Sequence, residues 1–190
     1  MVSAQRTYTM LGNETLWSVA VRCHEALKTA ALPHAIVGGV AVCLHGYQRN
    51  TVDLDLLVRR DETDAVRKAL EDAGFVYSSE NVEFRSPEGI PVQLLLSADL
   101  AGKGLEVRLP DPAEEASIAM IEGLPVVTLA RLIESKLACG QGNLRRTHKD
   151  FADVVELIAH HNLGQSFARF LHKSLRQTYR ELVKSARGGE

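Results

Sequence analysis

Apolar residues recur along the chain with two different periods, and each period predicts a different kind of element. The first pattern repeats at helical spacing and predicts a helix over about 14–30, with Asn13 as its cap and Pro33 as its end. Runs of strand-forming residues take over after Pro33. The apolar positions of the first helix are Leu16, Val19, Ala20, Cys23 and Leu27.

Short strand-forming runs separated by glycines make up the middle of the chain. They predict, in order, a strand over 34–37, a short helix over 40–45, a strand over 52–58 and a charged helix over 61–73. Gly46 and Gly74 stand where the two helices should end. Three more strands are expected over 75–77, 82–85 and 90–96, with a hairpin turn at 86–89 and a loop over 97–112.

The last part of the chain returns to helical spacing. A strand pair is expected over 117–121 and 125–127, and Thr128 then caps a helix over 129–139. Residues 140–143 should break that helix, with two more predicted over 146–161 and 165–186. The sequence therefore predicts an α+β fold: a mixed β-sheet core flanked by helices over 1–128, and a C-terminal helical region over 129–190 that packs on the core.

Composition narrows the class of protein. The 190 residues are enough for one substantial core, and the formal net charge of −2 argues against nucleic-acid binding by the protein as a whole. Three widely spaced cysteines, Cys23, Cys43 and Cys139, lack a CxxC pair and are interpreted as reduced thiols. With no signal-peptide pattern and no run of 18 apolar residues, we expect a cytoplasmic protein with no membrane association.

Two aspartates within an apolar run are the main candidate for chemistry. Asp53 and Asp55 are two positions apart, so on a strand both carboxylates would leave the same face. Such a pair could be an edge strand facing water, but the flanking residues are too apolar for that. A divalent cation that neutralises both carboxylates explains them better, and oxygen ligands suit Mg²⁺ or Mn²⁺ carrying the phosphates of a nucleotide.

A glycine pair precedes the aspartates. Gly38 and Gly39 stand where the predicted strand turns into the short helix, a place where bare backbone can approach a phosphate. Alone, the pair would be read as an ordinary tight turn. Together with Asp53 and Asp55 at this spacing, it indicates a nucleotide site.

The order Gly38-Gly39, Arg49, Thr51 and Asp53-Leu54-Asp55 resembles the core signature of the polymerase β-type nucleotidyltransferase superfamily. Its small bacterial members and the related abortive-infection toxins are the most similar. Lys136 in LIESKLA and Asp150 in HKDFADVVEL are similar to later elements of that family, so the resemblance covers roughly residues 34–160.

The resemblance implies a role for each matching residue. Asp53 and Asp55 would be catalytic metal ligands, with Lys136 as a further catalytic group that meets the nucleotide phosphates. Nucleotide contacts are expected from Gly38, Gly39, Arg49, Thr51, Lys136 and Asp150. The implied activity is transfer of a nucleoside monophosphate from an NTP, with Mg²⁺ or Mn²⁺, to a hydroxyl on RNA, a protein or a small molecule. A toxin paired with an antitoxin partner is one implied setting.

The residues themselves leave two of these roles open. Lys136 lies on an apolar helix face and could simply extend to the surface instead of meeting phosphates. Asp150 could belong to a solvated acidic face or orient Lys136 or the nucleotide, whereas Asp153, one turn on, is interpreted as structural. Arg49 and Thr51 could form a polar loop or a phosphate contact.

One departure from the family pattern concerns a third carboxylate expected on a neighbouring strand. The matching step is Pro91-Val92-Gln93-Leu94-Leu95, so Gln93 occupies that place. A glutamine oxygen can bind a metal but cannot take a proton. Glu83 or Asp99 could substitute if the fold brings either close. Otherwise the chain is a catalytically impaired, nucleotide-binding regulator or partner subunit; a purely structural protein would leave the motif unexplained.

The C-terminal segment carries cations at steps of three or four residues. If 165–186 is one helix, they form a continuous stripe, which is either a solvated face or a surface for an RNA acceptor. The stripe consists of Arg169, Lys173, Arg176, Arg180, Lys184 and Arg187.

Overall fold

The computed structural model describes residues 14–102 and 106–187. A seven-stranded mixed sheet forms its centre, and helices flank it. The strands are β1 (His34–Val37), β2 (Leu54–Val58), β3 (Val76–Ser78), β4 (Glu83–Arg85), β5 (Pro91–Leu96), β6 (Ile118–Ile121) and β7 (Leu124–Val127). The α-helices are α1 (Glu14–Thr29), α2 (Gly38–Leu44), α3 (Thr63–Asp72), α4 (Leu129–Gly142), α5 (Leu144–His160) and α6 (Arg176–Arg187).

The strands lie in the order β3-β4-β5-β2-β1-β7-β6. β2 pairs with β5 in parallel and with β1 in antiparallel orientation, and β1 also pairs with β7 in parallel. In this register Asp55 lies between Val37 of β1 and Gln93 of β5. The sheet therefore places the residue before the glycine pair, the metal-type aspartate and the glutamine in one row.

The central strand β2 is buried on both of its faces. Leu54, Leu56, Leu57 and Val58 are all buried, as the apolar run around the aspartates predicts. Helices α4 and α5 pack against each other beside this core. None of the described helices is long and apolar enough to cross a membrane.

Most of the predicted elements are confirmed, including the first helix, the 86–89 hairpin turn and the helical C-terminal region. The predicted Asn13 cap lies outside the described residues. The division of the chain at residue 128 stays a prediction.

Two predicted boundaries near the site are wrong. The strand expected over 52–58 begins at Leu54, so Asp53 lies just before it. The helix expected to break at 140–143 runs on through Gly140 to Gly142. Gly140 is not a helix end: a Cβ there would lie 2.5 Å from Phe151 Cε1, so its missing side chain lets α4 and α5 approach closely. Thr128 is the N-cap residue of α4, but its side chain makes no capping hydrogen bond.

The helix predicted over 165–186 is also wrong. Two short 3₁₀ turns, Gln165–Phe170 and Lys173–Leu175, precede α6. The chain is extended at Leu171 between them, and Arg176 Nε donates to the Leu171 carbonyl oxygen at 2.9 Å. The cationic stripe is therefore not continuous. Arg169 and Lys173 precede α6, and the guanidinium of Arg176 is hydrogen-bonded to the backbone.

Candidate active site

The glycine pair packs directly against the acidic segment. Gly38 has φ +66°, and a Cβ at this position would overlap Asp55 Oδ2. A Cβ at Gly39 would lie 2.5 Å from Thr51 Oγ1. Both glycines are thus required by the close approach of β2 and the loop before it, which brings the Asp55 carboxylate onto the start of α2.

Asp53 and Asp55 form an acidic pair although Asp53 precedes the strand. Thr51 Oγ1 donates a hydrogen bond to Asp53 Oδ1 at 2.8 Å. Burial raises the pKa of Asp55 above its ordinary value, and the neighbouring Asp53 raises it further. Lys136, Arg146 and Lys149 act in the opposite direction. The charge of Asp55 is therefore incompletely compensated by the protein.

These two carboxylates fit a divalent cation of the kind that travels with a nucleotide. Mg²⁺ is commonly held by one or two carboxylates, with substrate phosphates and water completing its shell. Within residues 14–102 and 106–187, no cluster of three or more His, Cys, Asp or Glu side chains could hold a metal by itself. A metal here would thus rely on Asp53, Asp55 and the bound ligand.

Gln93 lies beside Asp55 on the adjoining parallel strand, where the third carboxylate was expected. It is exposed and lines the same cleft. The two acids considered as substitutes are engaged elsewhere: Glu83 is paired with Arg85 at 2.6 Å, and Asp99 is paired with Arg60. Neither acid is among the described residues that line the cleft.

Lys136 is buried on α4 and bridges two carboxylates of α5. Its Nζ lies 2.9 Å from Asp150 Oδ1 and 2.8 Å from Asp153 Oδ2, and its side chain is 5% exposed. The interpretation of Lys136 as extending to the surface is therefore wrong. Asp150 is buried against Lys136, so the alternative of a solvated acidic face is wrong for it, and Asp153 shares the contact with Lys136.

Asp153 also holds the loop that precedes β2. Arg49 Nη2 donates to Asp153 Oδ2 at 3.1 Å, while Arg49 Nε lies 2.7 Å from Asp153 Oδ1 without hydrogen-bond alignment. The two distances establish an ion pair, because Coulomb attraction between full charges depends on separation and only weakly on the angle of one N–H. Asp153 consequently joins the Arg49–Thr51 loop to α4 and α5.

A cleft of about 120 Å³ brings these groups together. Its lining includes the charged residues Asp55, Lys136, Asp150 and Arg146. The rest of the lining is mostly apolar and includes Val37, Leu95, Leu100, Ala101, Leu109 and Cys139, together with Gln93. A larger groove of about 510 Å³ lies between α1 and α3, but none of the residues with proposed chemistry lines it.

The sequence did not indicate Arg146 as a cleft residue or Lys136 and Arg49 as the partners of Asp153. Arg146 Nε lies 3.2 Å from Asp150 Oδ2, and its side chain is 53% exposed at the cleft. Its position four residues before Asp150 was the available signal, since residues i and i+4 are neighbours on a helix. Of the predicted contacts, Gly38, Asp55, Lys136 and Asp150 line the cleft. Gly39 lies beside it on α2, and Arg49, Thr51 and Asp53 lie in the loop before β2.

Comparisons with known proteins bear on the family and the fold of the chain. A family model described as aminoglycoside-2''-adenylyltransferase matches residues 20–116. No curated protein matches the sequence. Among solved structures, ANT(2'')-Ia in complex with adenylyl-2''-tobramycin has a TM-score of 0.55 at 17% identity, over 88% of this chain and 98% of that one.

Two further structures share the architecture. A Thermotoga maritima protein assigned as a nucleotidyltransferase has a TM-score of 0.51 at 15% identity, over 73% of this chain and 93% of its own. An antigenic nucleotidyltransferase-like protein from Paracoccidioides brasiliensis has a TM-score of 0.53 at 17% identity, over 90% and 87% respectively. At such low identity these likenesses establish the fold, and the predicted resemblance to nucleotidyltransferases is confirmed.

Proposed function

This chain belongs to the aminoglycoside-2''-adenylyltransferase family, and we propose that it binds an NTP with Mg²⁺ or Mn²⁺ and transfers the nucleoside monophosphate to a hydroxyl acceptor. The observation that carries this proposal is the incompletely compensated Asp55, packed on Gly38 and next to Asp53. Burying like charges together is unfavourable unless a cation joins them. A metal–nucleotide complex supplies that cation together with the substrate.

Each residue has a defined part in this proposal. Asp53 and Asp55 would hold the metal, which when bound withdraws charge from the phosphates. The backbone of Gly38 and Gly39, which packs on Asp55 and Thr51, would contact the phosphate chain beside Asp55. Thr51 orients Asp53 through its hydroxyl, and Arg49 fixes that loop through Asp153.

The transfer itself exchanges one phosphorus–oxygen bond for another. The acceptor oxygen bonds to the α-phosphorus, and the bond from that phosphorus to the α,β-bridging oxygen breaks, so pyrophosphate leaves. The proton of the acceptor hydroxyl goes to water, because the Gln93 amide cannot accept it. The absence of a carboxylate at position 93 should make this step slow, since general-base catalysis typically contributes about 10²–10⁴-fold.

The proposed acceptor is a hydroxyl group of an RNA, a protein or a small molecule. ANT(2'')-Ia was crystallised with adenylylated tobramycin, which makes an aminoglycoside one acceptor to test. A toxin-type enzyme that is held in check by an antitoxin partner is a second setting for the same chemistry. Both settings use the same metal–nucleotide site and differ in the acceptor molecule that enters the cleft.

Gln93 favours a second candidate function. A family member that binds metal and nucleotide but transfers slowly could act as a regulator or partner subunit. The position of Gln93 beside Asp55, with Glu83 and Asp99 engaged elsewhere, is the observation behind this alternative. It differs from the first candidate in turnover and agrees with it on binding.

Calorimetric titration with Mg²⁺ and each of ATP, GTP, CTP and UTP tests the binding that both candidates share. We expect Asp53→Asn and Asp55→Asn each to weaken binding about tenfold or more, a loss of about 1.4 kcal/mol or more. Asp72→Asn is the matched control, because Asp72 is an exposed acid on α3 that is paired with Lys68. Equal affinities in the wild type, both site variants and the control would contradict the proposal.

Turnover of labelled NTP then separates the enzyme from the impaired member. Gln93→Asp should raise transfer by about 10²–10⁴-fold if the missing base limits the wild type. If the wild type is already fast and the substitution abolishes activity, Gln93 is not a defect. If neither protein transfers with tobramycin, RNA or protein acceptors while both bind the nucleotide, the regulatory function is favoured.

A further inference from the structure

We propose that Arg146 binds the β- and γ-phosphates of the nucleotide. The inference rests on the proposed function and replaces Lys136 and Arg49 as the cations that meet the phosphate chain. Arg146 lies in the first turn of α5 and lines the cleft beside Asp55.

The two cations expected from the sequence are already occupied. Lys136 is almost fully buried and has a carboxylate on each side, Asp150 and Asp153. Arg49 is paired with Asp153 through two nitrogen atoms. To reach a phosphate, either side chain would have to leave a buried carboxylate without its partner, which is strongly unfavourable.

Arg146 can meet a ligand with its terminal nitrogens while its Nε keeps the contact with Asp150. Its side chain is half exposed and lines the cleft next to Asp55, and its contact with Asp150 is an ion pair at 3.2 Å. Asp150 Oδ2 is buried and lacks an aligned hydrogen bond, so this contact leaves most of the guanidinium donors for a ligand. A guanidinium presents five N–H groups in a planar fork that matches phosphate oxygens.

The position of these cations on α5 supports a ligand role. Arg145, Arg146 and Lys149 are exposed in the first two turns of the helix, where the helix dipole disfavours positive charge. Arg146 also lines the same cleft as Asp55. A triphosphate at the cleft would compensate these charges, whereas the folded chain gains little from placing them there.

The test compares Arg146→Gln with Arg145→Gln, its neighbour on the same turn. Among the described residues that line the cleft, Arg146 is present and Arg145 is not. With Mg²⁺ and the best-bound of ATP, GTP, CTP and UTP, we expect Arg146→Gln to weaken binding about tenfold. Arg145→Gln should change it less than about twofold. Binding of the corresponding NMP should be the same in both variants, because it lacks the β- and γ-phosphates.

Arg146→Lys keeps the charge and should recover part of the affinity, which a merely structural role would not predict. Equal NTP affinity in wild type and Arg146→Gln would overturn the inference, as would an equal loss in Arg145→Gln or an equal loss for the NMP. If the wild type binds no NTP, the proposed function falls and this inference with it. If the wild type binds an NTP through Asp55 but is indifferent to Arg146→Gln, this inference alone falls. Circular dichroism and urea unfolding confirm that each variant is folded.

Discussion

The charges of the site are compensated differently on its two walls, the sheet wall formed by β2 and the helix wall formed by α4 and α5. On the sheet wall, Asp55 is packed on a glycine and next to a second aspartate, and its pKa is raised. On the helix wall, each buried carboxylate of α5 has cations beside it: Lys136 contacts both, Arg49 contacts Asp153, and Arg146 contacts Asp150. The negative charge of Asp55 is incompletely compensated, whereas the buried carboxylates of α5 are paired with cations of the chain.

Ionic residues within one site can therefore serve different purposes, some stabilising the fold and others available to bind a ligand. The buried pairs of Lys136 with Asp150 and Asp153 contribute to stability and geometry, because breaking a buried ion pair leaves a charge unpaired. The proposed metal binding would fall to the sheet wall, because a cation relieves its repulsion. Substitutions at Lys136 and at Asp55 should therefore affect stability and binding in opposite proportions.

The largest expected effect is loss of stability on the helix wall. Lys136→Met leaves Asp150 and Asp153 without their shared partner, and we expect the free energy of unfolding to fall by about 3–5 kcal/mol. Lys68→Met is the control, because Lys68 forms an exposed i,i+4 pair with Asp72 that is worth under about 1 kcal/mol. Urea unfolding measures both, and similar losses in the two variants would contradict the assigned role of Lys136.

The second effect concerns the contact between the glycine pair and the sheet wall. Gly38→Ala forces a side chain into Asp55 at a positive φ, and we expect a loss of about 3 kcal/mol together with weaker Mg–NTP binding. Gly123→Ala is the control, since Gly123 also has a positive φ but has nothing within 4 Å of an added Cβ. Its loss should stay near 1–2 kcal/mol, roughly the cost of the left-handed conformation alone. Equal losses would show that the packing of Gly38 on Asp55 is unimportant.

A smaller change, this time an increase in stability, is expected from a substitution on the sheet wall. Because the folded-state pKa of Asp55 is raised, its charge destabilises the fold, and stability falls as pH rises from the unfolded pKa through the folded pKa. Asp55→Asn should therefore raise the melting temperature without metal at pH 7, and this gain should vanish below about pH 4. Mg²⁺ should stabilise the wild type and leave the variant unchanged. A variant that is less stable at pH 7 would contradict the view of Asp55 as incompletely compensated.

Sequence predicts the sheet wall well because its pattern is local. Gly38, Gly39, Asp53 and Asp55 lie within 18 consecutive positions, and their spacing gives both the strand and the acidic pair. The pairing of Gln93 beside Asp55 also agrees with the expectation of a neighbouring strand. The start of β2 was placed two residues early because Val52 extends the apolar run, although it is exposed.

The helix wall was predicted less well because its partners meet through tertiary packing. Asp153 looked like an ordinary helical acid, and nothing near it in sequence indicates Arg49 or Lys136 as partners. Gly140 looked like a helix end, since a glycine that serves close helix packing has the same local signature. The break at Leu171 was missed because cations at steps of three or four continue across it.

The smallest effect tests the C-terminal cations that remain on α6. Arg180 and Lys184 are exposed, and a double change to Glu should alter stability by about 0.5 kcal/mol or less. Mg–NTP affinity should stay within about twofold. If RNA is the acceptor and binds here, the slope of log affinity against log salt should fall by roughly one for each phosphate that the variant no longer neutralises. Identical RNA binding by wild type and variant would remove α6 from the acceptor surface.

The pairing of Arg49 with Asp153 has a consequence for the order of events during synthesis. The two residues are 104 positions apart, so the loop that carries Thr51 and Asp53 must wait for α5 before it is anchored. At about 5–20 residues per second, Asp153 is added roughly 5–20 s after Arg49. The acidic pair is therefore made early but fixed late, and a nascent chain that exposes the glycine and aspartate motif should not yet capture nucleotide.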